Sequence, residues 1–204
     1  TATYAARDLG VHSGMGLMKA ALRAPQAVLL PTDFEQYRRY SRLFKESVAE
    51  VAPVIEDRGI DEIYIELTEV FPVGHELPAG DGDGMAHASP AGSPARALLL
   101  ARALKAAVKD ATGLGSSIGI APNKLLAKIA SDLDKPDGIT IVTADDLPRR
   151  IWPLPARRIN GIGPKAEARL AGLGLHTIGD LAHAGLDVLI GHFGAHQGRW
   201  LHDA

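Results

Sequence analysis

The stretch SIGIAPNKLLAKIASDLDKPDGITIV, residues 117–142, decides the fold of this chain. The apolar run over residues 114–121 predicts a buried strand. Pro122-Asn123 predicts the start of a helix, because an asparagine side chain can cap the free N–H groups of a first turn. The next apolar residues recur at helical spacing and predict a face turned to the core: Leu126, Ile129, Ala130 and Leu133. Residues 135–138 then predict a turn, and residues 138–142 predict a second strand.

The same alternation of helix and strand is found upstream of this stretch. Residues 33–51 carry apolar side chains at spacings of three and four, which predicts an amphipathic helix capped by Thr32 or Asp33. Residues 54–67 predict two strands with a turn or bulge at Gly59. The chain therefore begins this region with a helix followed by a pair of strands.

A composition change separates these strands from the next helix. Residues 71–94 are rich in Gly, Pro, Ala and Ser without periodicity, which predicts a long loop. Residues 97–108 then predict a helix with one apolar face. The sum is an α+β fold in which a sheet carries helices on one face. From residue 144 onward the pattern is helical and broken by glycines, so we place a domain boundary near residues 143–145.

Composition excludes several classes of protein. The 204 residues carry a formal net charge of −2, and 46% of them are apolar, which fits a globular protein and excludes a disordered polyelectrolyte. No apolar run reaches the roughly 18 residues of a membrane span. Without cysteine there is no disulfide, no thiolate nucleophile and no cysteine-ligated metal. The eight histidines follow no metal-binding spacing. The charge does not indicate nucleic-acid binding by the chain as a whole, so that function requires local clusters.

Asp61 and Glu62 are the first candidate site. Two adjacent carboxylates repel each other unless a cation or a proton relieves the repulsion, and Mg²⁺ is a cation that prefers oxygen ligands. A solvated acidic turn is the alternative. If both residues belonged to a regular strand over residues 60–67, they would point to opposite faces, and both would reach one metal only if the backbone bent near Gly59.

Two further patterns suit phosphate binding. Tyr4 and Arg7 are three residues apart, so they can share one helical face and offer a hydroxyl and a guanidinium. Residues 159–165, INGIGPK, form a glycine turn at a helix start, where free N–H groups can hold a phosphate of a DNA backbone. An ordinary link between helices is the alternative for this second pattern. The surrounding cations supply local positive charge: Arg157, Arg158, Lys165 and Arg169.

Taken in order, these motifs resemble the Y-family translesion DNA polymerases of the DinB type, whose catalytic region is the UmuC domain. The resemblance covers nearly the whole chain except residues 71–94. It rests on five segments in the same order as in that family: residues 4–15, 60–64, 117–131, 135–138 and 159–163.

The resemblance implies an architecture. It implies partial fingers over residues 1–32, a palm over 33–144 with the inserted loop 71–94, and an all-α helix–hairpin–helix thumb over 145–204. The palm of this family is a ferredoxin-like antiparallel sheet with helices on one face. The resemblance also implies a first palm strand and a little finger outside these 204 residues, so we expect the chain alone to be a core fragment with weak or no activity.

The resemblance also implies roles for particular residues. Asp61 and Glu62 bind two catalytic Mg²⁺ ions, and Gly59 stands where the family usually has a serine. Contacts to the triphosphate of an incoming nucleotide come from Tyr4, Arg7 and Lys135. Contacts to the DNA backbone come from the hairpin, through Gly161, Gly163 and Lys165.

The implied partners and activity follow from the same resemblance. They are primer–template DNA, a deoxynucleoside triphosphate (dNTP) and a sliding clamp contacted through regions outside this sequence. The implied protein is a cytoplasmic monomer with no membrane segment that performs low-fidelity, DNA-directed DNA synthesis in repair. One alternative is a non-catalytic homologue that binds DNA as an accessory protein. Another is a helix–hairpin–helix module on an unrelated α+β domain.

Overall fold

The computed structural model describes residues 2–67 and 94–203. The chain divides into two compact units, Thr1–Tyr37 and Arg38–Ala204. The predicted loop 71–94 lies outside the described residues except for Pro94, which is the first residue of a helix. The division into fingers, palm and thumb stays a prediction.

The smaller unit contains two short helices and the start of a third. Helix α1 spans Tyr4–Asp8 and helix α2 spans Leu17–Arg23. The Thr3 hydroxyl caps α1 by accepting a hydrogen bond from the backbone N–H of Ala6 at 3.3 Å. Short helices like these have little intrinsic stability, so the cap contributes to holding α1.

Helix α3 spans Phe34–Val51 and leads into the first pair of strands. The carboxylate of Asp33 accepts a hydrogen bond from the backbone N–H of Gln36 at 3.0 Å, which confirms Asp33 as the cap. Strands β1, Ile55–Asp57, and β2, Ile63–Ile65, pair antiparallel. Helix α4, Pro94–Thr112, buries the predicted apolar face, namely Ala97, Ala101, Leu104 and Val108. A first core joins α3 and α4 to both strands.

Residues 117–142 fold as their sequence predicts, into strand β3 (Ile118–Ile120), helix α5 (Lys124–Leu133) and strand β4 (Ile139–Ile141). The Asn123 side chain caps α5 by accepting from the backbone N–H of Leu126 at 2.8 Å. A glycine is needed at position 119, because a Cβ there would lie 2.1 Å from the carbonyl oxygen of Ala127. The backbone of α5 therefore packs directly on β3.

The sheet differs from the expected ferredoxin-like antiparallel one. In the described residues the strands form two separate pairs, and β3 pairs with β4 in parallel. The reason is the connection, because a helix that crosses back between two strands brings the second strand in along the same direction. The predicted order of helices and strands from α3 to β4 is confirmed.

The rest of the chain is helical, as predicted. Three short helical segments come first, Ala144–Asp146, Leu147–Ile151 and Ala156–Arg158. Four α-helices follow: α6 Pro164–Ala171, α7 Ile178–Ala182, α8 Leu186–Phe193 and α9 Ala195–Asp203.

A second core joins α5 and the residue after β4 to these C-terminal helices. Ile129 of α5 and Val142 after β4 lie in one buried cluster with Ile151, Leu170 and Leu189. Buried residues of α3 and α4 therefore belong to one core, and those of α5 and the C-terminal helices to another. The predicted boundary near residues 143–145 crosses a continuous apolar cluster. Within the described residues, no helix has the length and hydropathy that crossing a membrane requires.

Candidate functional site

Asp61 and Glu62 lie in the turn that connects β1 to β2, and both are exposed. We call residues 57–62 the carboxylate turn. The turn is closed by the backbone N–H of Arg58, which donates to the carbonyl oxygen of Glu62 at 3.1 Å. The expectation that residues 60–62 belong to a regular strand is wrong, because β2 begins at Ile63. The alternation of a strand therefore does not force the two carboxylates onto opposite faces.

A chain of ion pairs leads from Glu62 to Lys135. The Lys128 ammonium lies 2.5 Å from Oε1 of Glu62 and 3.9 Å from Oδ2 of Asp132. Oδ1 of Asp132 in turn lies 2.5 Å from the Lys135 ammonium. Lys128 and Asp132 are one turn apart on α5, so this helix positions both inner members. The structure thus connects a predicted metal ligand to a predicted triphosphate-binding lysine through alternating charges.

Lys128 is the most enclosed member of this chain, with 22% of its side chain exposed. Burial by itself would lower the pKa of its ammonium group. The hydrogen bond to Glu62 and the negative charges of Asp132 and Glu62 outweigh that effect, so the pKa of Lys128 is raised. Lys128 therefore remains a cation beside Glu62 throughout the neutral range.

The start of the carboxylate turn is held by a second lysine. The Lys45 ammonium, from α3, donates to Oδ2 of Asp57 at 2.7 Å and to the carbonyl oxygen of Gly59 at 2.7 Å. The backbone N–H of Gly59 also donates to Oδ1 of Asp57 at 2.9 Å. The hydrogen bond from Lys45, followed by that from Gly59, lowers the pKa of Asp57. The residue before Asp57 in β1, Glu56, forms an ion pair with Lys124 of α5.

The turn that contains Lys135 is held in place by a lysine of α4. The Lys105 ammonium donates to Oδ1 of Asp137 at 2.7 Å and to the carbonyl oxygen of Ser116 at 2.5 Å. The hydrogen bond and the charge of Lys105 lower the pKa of Asp137. Asp137 adopts a φ of 61°, in the left-handed region where Asp is tolerated. Lys105 thus connects α4 to the turn between α5 and β4.

The carboxylate turn fits Mg²⁺ in the kind of ligand it offers. Within residues 2–67 and 94–203 the Asp61 carboxylate has no hydrogen bond or ion pair, so it is free to bind a cation. The same part of the chain contains no group of three acidic, His or Cys side chains placed to hold a metal. Mg²⁺ is commonly bound by only one or two carboxylates, with water and substrate phosphates as its other ligands. Two oxygen donors at one turn are consistent with that pattern.

Tyr4 and Arg7 belong to the smaller unit and share a face of α1, as their spacing predicts. The Arg7 guanidinium lies over the Tyr4 ring at 5.5 Å from its centroid. Its Nε donates to the carbonyl oxygen of Ala2 at 3.1 Å. Half of the Tyr4 surface is exposed. The two side chains therefore lie together on α1. Among the described residues, the other N–H groups of the guanidinium have no hydrogen-bond partner.

The predicted glycine hairpin, residues 159–165, is present before α6. Ile159 and Ile162 are buried, whereas Gly161, Gly163 and Lys165 are exposed. Gly163 precedes α6, and no side chain caps the free N–H groups there. The hairpin therefore presents backbone and one cation to solvent while its isoleucines anchor it in the second core.

Gly161 is required for two reasons. Its φ of 105° is one that side chains with a Cβ rarely adopt. A Cβ there would also lie 2.9 Å from the indole of Trp200, which comes from α9. Trp200 of α9 therefore packs against the hairpin at Gly161.

Lys128, Lys105 and Asp132 were not among the candidate residues named from the sequence. The spacing of Lys128, Asp132 and Lys135 is a usable signal, because residues three and four apart on a helix are neighbours. The partner of Lys128 on the carboxylate turn is 66 residues away in sequence, and no local pattern predicts such a pairing.

Comparison with solved structures shows the class to which this fold belongs. A Y-family DNA polymerase chimera is 28% identical and superimposes with a TM-score of 0.81, covering 98% of this chain and 53% of its own. A DinB family error-prone DNA polymerase from Sulfolobus solfataricus is 28% identical, with a TM-score of 0.80 and coverage of 98% and 54%. The fold is that of Y-family DNA polymerases, and the resemblance stated from the motifs is confirmed.

Comparison of sequences then gives the family. The chain belongs to the impB/mucB/samB family, whose sequence model matches residues 1–132. A relative named DNA polymerase IV, from Moorella thermoacetica, is 36% identical over 202 residues, which is 98% of this chain and 45% of the relative. The chain therefore spans about half the length of the curated relative it matches. A helix–hairpin–helix module on an unrelated α+β domain is excluded by the family match.

Proposed function

We propose that this chain carries the catalytic residues of a DNA-directed DNA polymerase that performs low-fidelity translesion synthesis in DNA repair. The observation that carries the proposal is the ion-pair chain from Glu62 through Lys128 and Asp132 to Lys135. It joins an acidic turn suited to metal ions and a lysine suited to phosphate within one side-chain network. The family and the name of the M. thermoacetica relative support the same activity.

The acidic part of the proposed site is Asp61 and Glu62. These carboxylates would hold two Mg²⁺ ions, which in such sites lower the pKa of a primer 3′-hydroxyl and neutralise the triphosphate of a dNTP. Asp61 has a free carboxylate, whereas Glu62 must share its oxygens between the metal and Lys128. The ion pair therefore orients the Glu62 carboxylate while it competes with a metal ion for its charge.

The cationic part of the proposed site is Lys135 with Tyr4 and Arg7. In the free chain Asp132 holds the Lys135 ammonium. An incoming triphosphate carries more negative charge than one carboxylate, so it would draw Lys135 away from Asp132. Arg7 would add a bidentate contact and Tyr4 a hydroxyl donor. Together these groups would orient the triphosphate and stabilise the charge that develops on the leaving pyrophosphate.

The glycine hairpin is proposed to hold the DNA backbone. Exposed N–H groups at the start of α6 offer donors to a phosphate, and Lys165 adds a positive charge. Such contacts do not read base sequence, which suits an enzyme that moves along its template. Primer–template DNA and dNTP are the proposed substrates. A sliding clamp contacted through regions outside the chain, a monomeric state and a cytoplasmic location stay predictions.

Primer extension by the full-length product of the reading frame that encodes this chain tests the proposal. We expect extension to require Mg²⁺ and to fall by roughly a hundredfold or more in Asp61→Ala and in Glu62→Ala. Lys124→Ala is the control, because Lys124 pairs with Glu56 and not with the carboxylate turn. Near-normal extension by both acidic variants would overturn the metal assignment. No extension by the unmodified full-length protein would instead favour the non-catalytic accessory role.

A further inference from the structure

A basic groove lies beside the carboxylate turn and has no role in the proposed reaction. Its volume is about 350 Å³, and it belongs entirely to the larger unit. It is lined by one face of α3 and by the start of the carboxylate turn: Arg38, Ser41, Arg42, Lys45, Asp57, Gly59 and Ile60. Three cations and one carboxylate give it a local charge of +2, although the whole chain has a net charge of −2.

The three cations form a stripe along α3. Arg38, Arg42 and Lys45 follow one another at spacings of four and three, so they lie on the same side of the helix. Like charges at these spacings destabilise a helix unless an anion lies among them. Lys45 has that anion in Asp57, at 2.7 Å. Among the described residues the guanidinium groups of Arg38 and Arg42 have no hydrogen-bond or ion-pair partner.

Ser41 adds a neutral donor between these cations. The residue is only 8% exposed, and within the described part of the chain its hydroxyl makes no hydrogen bond. The hydroxyl oxygen itself is not fully buried, so it can donate to whatever occupies the groove. Two guanidinium groups and a hydroxyl at the same surface match the oxygens of a phosphate.

We propose that this groove binds successive phosphates of a nucleic-acid strand, outside the reaction centre. The stripe from Arg38 to Lys45 is seven residues of helix, about 10 Å, which is longer than a single phosphate group needs. Gly59 and Ile60 line the groove and directly precede Asp61, so a strand lying here would run beside the proposed reaction centre. The inference rests on the proposed function for its choice of a nucleic acid as the polyanion.

Binding of a labelled primer–template with a single-stranded overhang tests the groove. Fluorescence anisotropy is measured on the 204-residue chain in EDTA and without dNTP, so that neither metal binding nor catalysis contributes. We expect the Arg38→Gln/Arg42→Gln double variant to raise Kd roughly tenfold. The slope of log K against log salt should become shallower by about 1.5, as for two lost phosphate contacts.

Arg39→Gln is the matched control, because Arg39 lies on the same helix but does not line the groove. We expect Kd within about twofold of the unmodified chain and an unchanged salt slope, since no phosphate contact is lost. Thermal melting of all variants checks that α3 is intact. A double variant that binds like Arg39→Gln would overturn the proposal, as would an unmodified chain that binds no DNA.

Competitors separate the possible occupants. Displacement of the labelled DNA by unlabelled DNA, but not by pyrophosphate or polyglutamate at equal charge concentration, supports a nucleic-acid strand. Equal displacement by pyrophosphate would make the groove a site for small phosphates and overturn the proposal. Stronger displacement by polyglutamate would assign it to an acidic protein and overturn it likewise. If the groove variants bind DNA normally while primer extension still requires Mg²⁺, only the groove proposal is wrong. If primer extension does not require Mg²⁺, that result contradicts the proposed function and not the groove.

Discussion

The carboxylate turn and the glycine hairpin are both tight connections between regular elements, yet different forces hold them. The carboxylate turn is exposed and is fixed by lysines from two helices, Lys45 and Lys128. The glycine hairpin is fixed by two isoleucines that are 2% and 6% exposed, and by contact with Trp200. One turn is held mainly by charge and the other mainly by apolar packing.

This difference corresponds to the proposed roles. A site that exchanges metal ions and triphosphates has to change its charge pairing, and exposed ion pairs cost little to rearrange because each contributes only about 0–1 kcal/mol. A site that holds a DNA backbone without chemistry has to keep its shape, and buried side chains provide that rigidity. The comparison predicts that substitutions in the two turns affect different measurements.

The largest stability effect should come from the core beneath the hairpin. Leu170 of α6 is fully buried, so Leu170→Ala should lower the free energy of unfolding by about 3 kcal/mol through the cavity it leaves. Urea denaturation of the chain at neutral pH measures this. Leu99→Ala, at a position that is 56% exposed, is the control and should change stability little. A loss below about 1 kcal/mol for Leu170→Ala would contradict the packing account.

The hairpin itself can be tested with its two glycines. Gly161→Ala should lower the free energy of unfolding by about 2 kcal/mol, because its φ is positive and its Cβ would meet Trp200. Gly163→Ala is the matched control, since its φ is −84° and nothing lies within 4 Å of an added Cβ. Equal destabilisation by both variants would show that neither strain nor the indole contact determines the hairpin.

The charged network of the carboxylate turn predicts a catalytic change with little change in stability. Lys128→Met removes the cation that orients Glu62 and competes for its charge. We expect primer extension to slow by about tenfold, with half-saturation at a lower Mg²⁺ concentration. Lys124→Met, on the same helix, should change neither. If Lys128→Met leaves the Mg²⁺ dependence of primer extension unchanged, Lys128 does not influence metal binding.

The smallest effect should be on the acid stability of the carboxylate turn. The pKa of Asp57 is lowered in the folded chain, chiefly by the hydrogen bond from Lys45. A lowered pKa adds stability above the unfolded value of 3.8, and this is lost as pH falls through the folded value. Urea denaturation between neutral pH and pH values below 3.8 should therefore show a flatter pH dependence in Asp57→Asn. Lys45→Met should flatten it as well, and an unchanged slope in both variants would show that this ion pair adds no stability.

Local elements followed from the sequence because their causes are local. The Asp33 and Asn123 caps, the apolar faces of α4 and α5 and the glycine hairpin all depend on residues within a few positions of one another. Asp61 and Glu62 were also named from a local pattern, whereas Lys135 was named from the resemblance to the polymerase family.

The tertiary structure decided what depends on distant residues. It placed Lys128 against Glu62, 66 positions away, and made β3 and β4 a parallel pair. It also joined Ile129 and Val142 to the core of the C-terminal helices, across the boundary that composition indicated. The amino-acid sequence by itself determined the helices, the turns and the kinds of charged group available. The pairing of those charges arose only on folding, because an ion pair depends on distance in space and not on separation along the chain.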